Sequence, residues 1–336
     1  MRKQSILLIA SLGLSFLFAF TISADEPKWR HVFKDTIALC IAVVPKNPVV
    51  YIGTSAGVYR TEDRGKDWTH LNRGFEPLTW VYSIAIHPDN PDIMYAGSSD
   101  GFYNTTDSGL IWSKIRRGWG PAVAISPDDI RTIYMGSFKS TDNGNTWESM
   151  DINRFIPAVI HFAIDRKHPG VMYAADLFIE GIFKSTDSGA TWNIVNKDGC
   201  YRVAIDPVQS ETVYTGGINE LYKSVDAGKT WKLTDRGLPK GASRPILIDP
   251  IDHRVIYTTV DEAGVFSSKN SGKKWEELAP IDDIYRDLAI NPSDPDILYV
   301  AANNGAWVVE LESRQPPIQP LGKLATTWGN IKDFQR

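Results

Sequence analysis

Cysteine is nearly absent: Cys40 and Cys200 are the two in 336 residues. A small disulfide-stapled scaffold is excluded by that count. The repeat alignment below sets the pair in non-adjacent repeats, so both are read as buried small hydrophobes. Basic excess is also missing. Residues 1–24 carry two basic and no acidic residues, so the remainder holds 34 basic against 40 acidic, a formal charge of −6. General nucleic-acid binding is disfavoured at that balance. The six histidines show no metal-ligand spacing, and the acidic turns 89–92 and 293–296 lack the Gly and spaced carboxylates of a calcium loop. No Gly-x-Ser-x-Gly elbow, phosphate loop or dinucleotide fingerprint occurs, so no cofactor or metal is expected.

Long apolar runs are confined to one, Ile6 to Ile22, preceded by Arg2 and Lys3 and followed by Ser23-Ala24 and the polar Asp25-Glu26-Pro27. That layout reads as a signal peptide cleaved after Ala24 or one residue earlier, with an uncleaved anchor as the alternative. The expected location is outside the cytoplasm: periplasm, cell surface or medium. No other stretch could span a membrane, and no cysteine near the junction invites lipidation.

What the chain does have is an eight-residue phrase, cleanest at Ser185-Thr186-Asp187-Ser188-Gly189-Ala190-Thr191-Trp192. The Asp side chain can accept from backbone N–H groups in a tight turn. The Gly permits positive φ, and the Trp opens a new strand with a large apolar side chain. Six copies run Thr61–Trp68, Thr105–Trp112, Ser140–Trp147, Ser185–Trp192, Ser224–Trp231 and Ser268–Trp275, the last with Asn270 in place of Asp. Around each phrase lie alternating strands bounded by Gly, Pro, Asn and Asp, as in Val81–Ile86, Ile93–Gly97 and Phe102–Asn104. The repeats span about 37–74, 81–118, 120–151, 159–196, 201–237 and 243–279.

A seventh unit begins at Tyr285 but lacks the phrase and a fourth strand. Trp29-Arg30-His31-Val32 resembles the Trp-led fourth strands and could be donated to it, removing an open sheet edge. The expected fold is therefore all-β: a monomeric seven-bladed β-propeller of four-stranded antiparallel blades over 25–311, closed by the N-terminal strand. A Pro-rich linker and tail, 312–336, follow. They are read as docked on the propeller, or as a tether for a partner.

The phrase looks like the Asp-box, or BNR, repeat of sialidases, sortilin-type receptors and xyloglucan-degrading propeller hydrolases. The longer pattern of Pro-containing turn, Ile/Val-x-Tyr and Gly most resembles the hydrolase and sortilin versions. The resemblance covers nearly the whole chain after residue 24 and implies the propeller, while these families share no single activity. Three arginines at a propeller mouth resemble the carboxylate-clamping triad of sialidases. However, no Arg-Ile-Pro stretch precedes the first phrase; the nearest string is Ser243-Arg244-Pro245-Ile246, and no Tyr nucleophile paired with Glu can be assigned. The xyloglucan hydrolases are implied to build a cleft between two propellers, whereas seven units make one.

Propeller topology puts the phrases on one face and the lead-in turns of the innermost strands on the other. Asp63, Asp107, Asp142, Asp187 and Asp226 are then turn-formers. The opposite, channel-mouth face carries the candidates. Alignment sets Cys40, Ser83, Ala122, His161, Arg202, Pro245 and Asp287 at one equivalent position, and Leu39, Tyr82, Pro121, Ile160, Tyr201, Arg244 and Arg286 one residue earlier. Arg202, Arg244, Arg286, Tyr201, Tyr285, Trp80, Trp119 and His161 are the expected binding residues, with Arg154, Phe155 and Glu180 on neighbouring turns. Guanidinium forks and aromatic faces suit a protein or glycan ligand, anionic ones included. A rim settled by internal Arg–carboxylate pairs is the plainer alternative. Asp261 and Asp287 are the weak catalytic candidates, since a glycoside hydrolase would need two carboxylates at the mouth. The leading expectation is a non-catalytic binding platform of the kind that sortilin-type domains and the single-propeller assembly factor of photosystem II provide. A sialidase-like or glucan-degrading hydrolase is the alternative.

Overall fold

A computed structural model describes residues 29–150, 158–177, 181–198, 200–217, 220–242 and 245–311. The expected signal peptide and tail lie outside the described residues, as do Arg154, Phe155, Glu180 and Arg244 and the side chain of Cys200.

Seven four-stranded antiparallel sheets stand around a central channel, and no helix occurs among the described residues. Blades one to six run 38–70, 81–117, 123–149, 159–196, 200–233 and 246–279, each with its strands in chain order from the axis outward. Burial explains why the second strands read as apolar runs. Val50–Thr54, Met94–Ser98, Met172–Asp176, Val213–Gly217 and Ile256–Val260 are buried at every position, because a neighbouring blade covers each sheet face. The outermost strands Thr69–His70, Glu148–Ser149 and Lys232–Leu233 are short and exposed, which limits their value as templates for edge-to-edge pairing.

The seventh sheet contains Tyr285–Asn291, Asp294–Ala302 and Gly305–Glu310, and its fourth strand is Trp29–Phe33, paired antiparallel with Gly305–Glu310. Blade one packs on blade seven through a shared core holding Phe33, Ile41, Val50, Ile52, Ala289, Tyr299 and Ala301. Across the same seam Arg64 donates from Nε and Nη2 to both oxygens of Asp294, at 2.7 and 2.9 Å. One of the two acidic turns is therefore committed to an inter-blade ion pair.

The phrases form one hydrogen-bond pattern. In Ser185–Trp192 the Ser185 hydroxyl donates to Asp187 Oδ1 at 2.8 Å and accepts from Gly189 N–H at 2.9 Å. Asp187 Oδ1 also accepts from Thr191 N–H at 2.8 Å. Asp63, Asp107, Asp142 and Asp226 repeat the arrangement. Asn270 supplies the same oxygen to Lys274 N–H at 2.9 Å, so the amide replaces the carboxylate without loss of the turn. These bonds hold the carboxyls below the ordinary Asp range, down to about 2 for Asp142, where Thr146 is the main donor.

Each phrase also fastens its blade to the one before. The residue ahead of the phrase Gly sits at positive φ, between 56° and 61° in all six copies, and turns its carbonyl outward. Tyr51, Tyr95, Tyr134, Tyr173 and Tyr214 donate their hydroxyls to the carbonyls of Ser108, Asn143, Ser188, Ala227 and Ser271 in the following blade. The Tyr of the Ile/Val-x-Tyr pattern is thus a clasp as well as core. Lys139, Lys184 and Lys223 add a second donor to the last three of these carbonyls. Tyr51→Phe, which leaves Ser108 without such a lysine, is expected to cost about 1–2 kcal/mol. Tyr173→Phe, with Lys184 still donating, should cost about half as much. Urea unfolding of both variants measures the ranking.

Candidate functional site

The channel is built by a defect repeated around the ring. In five innermost strands two residues advance against one on the partner strand, leaving Leu39, Tyr82, Ile160, Tyr201 and Arg286 as the extra residues. A β-bulge re-aims the side chain it inserts. Two successive residues of each strand therefore face the axis, where a regular strand would present one. Blades three and six lack the bulge. Pro121 and Pro245 stand there, and without an N–H they cannot extend the ladder, so those strands begin only at Val123 and Ile246.

The two rings line two stacked spaces. The inserted residues and Pro121, with Trp80, Trp119, Leu177 and Arg202, surround a mouth cavity of about 310 Å³. The residues one step on, Cys40, Ser83, Ala122, His161, Arg202 and Asp287, surround an inner chamber of about 260 Å³. Tyr82, Ile160 and Arg202 line both, so the spaces adjoin.

Three aromatic rings wall one side of the mouth. The centroids of Trp80 and Tyr82, and of Tyr82 and Trp119, are 6.4 Å apart, tilted in one pair and edge-on in the other. The tryptophans are 40% and 43% exposed. Both lead-in segments are tied to the turn between the second and third strands of blade two. Trp80 N–H donates to Ser99 Oγ at 3.1 Å, and Ser99 N–H to the Trp80 carbonyl at 2.9 Å; Gly120 N–H donates to the Ser98 carbonyl at 3.0 Å. Gly120 must lack a side chain, since a Cβ there would lie 2.0 Å from the Phe102 ring. That turn is rigid because Asp100 accepts from Ser98 Oγ, Tyr103 OH and Lys114 Nζ, at 2.9, 2.9 and 2.6 Å. The large rings are therefore presented at low conformational cost.

Arginine closes the other side. Arg286 Nε donates to Asn303 Oδ1 at 2.9 Å, and Arg202 donates to the carbonyls of Tyr201 and Arg286 at 3.1 and 3.4 Å. The Arg202 charge reaches down into the chamber. Burial, and then that charge, push the His161 imidazole down to about 3, so it is neutral across the physiological range. Burial also pushes the Cys40 thiol upward, keeping it protonated. Asp287 is shifted upward by burial and held back by Arg202. Its Oδ2 accepts from Ile41 N–H and its Oδ1 from Leu288 N–H, both at 2.9 Å. The carboxylate thus links blade seven to blade one.

The expected residues divide accordingly. Trp80, Trp119, Tyr201, Arg202 and Arg286 meet at the mouth, and His161 and Asp287 lie one layer deeper. Tyr285 is fully buried and donates its hydroxyl to the Ile281 carbonyl, which makes it core rather than a binding residue. Asp261 lines neither space and accepts from Tyr285 N–H at 3.0 Å. Leu39, Tyr82, Pro121 and Ile160, which the repeat alignment set at the mouth without counting them among the binding residues, line it too, as does Leu177. An apolar or aromatic residue recurring at one aligned position, just before a polar one, is the signal for the first four. Nothing in the sequence marks Leu177.

No protein-family model matches the chain, and no curated protein matches it. Its likeness is to solved structures. A GH74 enzyme of Niastella koreensis superposes with a TM-score of 0.71 at 17% identity, covering 84% of this chain and 53% of that one. The GH74 xyloglucanase of Xanthomonas campestris gives 0.68 and 16%, with 85% and 54% covered. A structure of YCF48 bound to D1 peptide gives 0.69 and 11%, with 87% and 97% covered. At these identities the likeness is one of fold. The chain spans about half the length of the GH74 structures and nearly all of the YCF48 chain.

Proposed function

We propose that the chain is an exported, non-catalytic propeller that binds an extended polypeptide segment across its channel mouth. The observation that carries this reading is the mouth cavity itself. It is walled by Trp80, Tyr82, Trp119 and Tyr201 with two arginines, and no carboxylate lines it among the described residues. Aromatic and Arg anchors in a preformed hollow are what interface hot spots are made of. A hydrolase would need a pair of carboxylates flanking the bond to be cut, whereas Asp287 links two blades and Asp261 lies outside both spaces. The peptide bound by YCF48, a propeller of nearly the same extent, supports a polypeptide occupant.

Selection of a random peptide library on the protein should yield ligands whose affinity drops at least tenfold with Trp80→Ala or Trp119→Ala. Leu110→Ala, on the face that carries the phrases, should leave their affinity unchanged. A library that yields nothing above background, or peptides indifferent to both tryptophans, would end this reading. A second reading, favoured by the exposed tryptophans at the mouth and the GH74 neighbours, is a glucan ligand. Hydrolysis of xyloglucan oligosaccharides that disappears in Asp261→Asn or Asp287→Asn would establish it in place of the first.

A further inference from the structure

We propose that the residues following Leu311 dock on the phrase-bearing face and cover an apolar patch of blades five and six. The patch lies opposite the mouth, and the inference does not rest on the reading of the mouth. Repetition exposes it. Two residues into the turn between first and second strands, five blades carry Lys46, Asp89, Asp128, Lys167 and Ser293, all exposed. Blades five and six carry Val208 and Ile251 there instead, 53% and 52% exposed. The second position of the phrase shows the same exception. Glu62, Thr106, Thr141, Thr186 and Lys269 stand there in five copies, and Val225, 62% exposed, in blade five. Single exposed apolar residues are ordinary, but these three lie on turns bonded to one another. His253 Nδ1 and Asp206 Oδ2, at 2.8 Å, join the turns of Ile251 and Val208. Ala227 N–H, donating to the Glu211 carbonyl at 2.8 Å, joins those of Val225 and Val208. Apolar residues on adjoining turns, at ring positions that are polar elsewhere, mark a contact surface.

The occupant follows from where the chain leaves the propeller. Gly305–Glu310, the third strand of its blade, runs from the mouth face to the phrase face. Leu311 then packs against a core that includes Tyr257 of blade six, and its N–H donates to the Asp296 carbonyl at 2.7 Å. The chain therefore exits at the seam of blades six and seven, on the side of the patch. Residues 312–320 hold three prolines, and extended chain of that kind spans about 3.1 Å per residue, so this stretch reaches roughly 28 Å. Blade five lies two sheets from blade seven, roughly 20 Å at the usual spacing. Beyond the linker, Leu321, Leu324, Trp328 and Ile331 recur at intervals of three and four, the pattern of one helix face. So short a stripe is marginal in water on its own and needs an apolar surface to lie on. Tethered nearby, it meets the patch at an effective concentration on the order of millimolar, which favours its own molecule over a second copy.

Photocrosslinking of the full chain tests the contact. Ile251→p-benzoylphenylalanine should, on irradiation, join residues 321–334 of the same molecule, as read by mass spectrometry of the digested monomer. Leu110→p-benzoylphenylalanine, on the phrase of blade two and 61% exposed in the wild type, should capture little or none of that segment. Trypsin gives a second readout, because Lys323 lies between Leu321 and Leu324. Cleavage after Lys323 is expected to quicken about tenfold in the Val208→Asp, Ile251→Asp double variant, and to a similar degree in Trp328→Ser, as the undocked population rises. Val208 and Ile251 are both more than half exposed, so the double variant keeps the fold. The inference is overturned if the Ile251 variant captures nothing from 321–334, or if the Leu110 variant captures as much. Links that join two copies, recognised by doubled mass and dependence on protein concentration, would overturn it in favour of self-association. Equal cleavage after Lys323 in wild type and the double variant would also overturn it.

Discussion

Between pH 6.5 and pH 4.5 the protein is expected to lose about 2–3 kcal/mol of stability through His161 alone. The folded imidazole is held down to about 3 by burial and by the Arg202 charge, against 6.5 for an ordinary histidine. Above 6.5 both folded and unfolded chains carry the neutral ring, and the full stability is present. As pH falls below 6.5 the unfolded chain binds a proton that the folded chain refuses, so stability drops by up to about 1.4 kcal/mol per pH unit. The loss ends only near the folded value of about 3. Water in the chamber would lessen the slope without changing its sign.

Other groups act lower on the pH scale. Asp142, Asp187 and Asp226 are shifted below the Asp value of 3.8 by their phrase hydrogen bonds, so what they contribute is present above that value and lost beneath it. Asp287, shifted upward by burial, works the other way: its folded carboxyl takes up a proton first, which offsets part of the loss at the acid end. The difference between wild type and His161→Gln removes both. Urea titrations at pH 7.0, 6.0, 5.0 and 4.5 should give the variant the flatter profile. Parallel profiles would mean that the imidazole can be protonated inside the fold.

Repetition makes the fold legible. Each phrase encodes its own turn, because Ser185, Asp187, Gly189 and Thr191 bond within a few residues of one another, and local chemistry of that kind can be read without a structure. The inter-blade bonds are another matter. That Tyr173 clasps Ala227, or that Arg64 grips Asp294, depends on how consecutive sheets are set side by side. Aligning the repeats brings both channel rings into register but leaves them as one layer. A bulge is a mismatch between two strands, which no single strand reveals. Its consequence is that Leu39, Tyr82 and Ile160 belong to the mouth, while His161 and Asp287 sit below it. Tyr285 falls on the wrong side of a sequence reading for a related reason. One residue before the bulge the side chain turns into the sheet packing, so a tyrosine adjacent to a mouth arginine is core. Aromatic residues near a rim carry no mark of which side of such a defect they occupy.

Gly305→Ala should destabilise the protein by about 3–5 kcal/mol, well beyond the ordinary cost of a surface substitution. Gly305 opens the strand that pairs with Trp29–Phe33 and has a φ of +116°, in a region that L residues rarely adopt. Backbone strain of this kind costs about 1–3 kcal/mol. Sterics add to it, since a Cβ at Gly305 would lie 1.9 Å from the Phe33 carbonyl oxygen, which must move. Phe33 cannot move alone. It is buried in the core shared by blades one and seven, and its neighbour His31 stacks on Trp307 at 4.0 Å and bonds the Asn304 carbonyl at 2.8 Å. Gly118 provides the matched control, with a φ of +112° and nothing within 4 Å of where a Cβ would lie. Gly118→Ala therefore carries the backbone strain without the collision and should cost about 1–2 kcal/mol. Urea unfolding gives the two values, and amide exchange over Trp29–Phe33 should quicken in Gly305→Ala and not in Gly118→Ala. If the variants lose equal stability and the N-terminal strand stays protected in both, the Phe33 contact contributes nothing and strain alone accounts for the glycine.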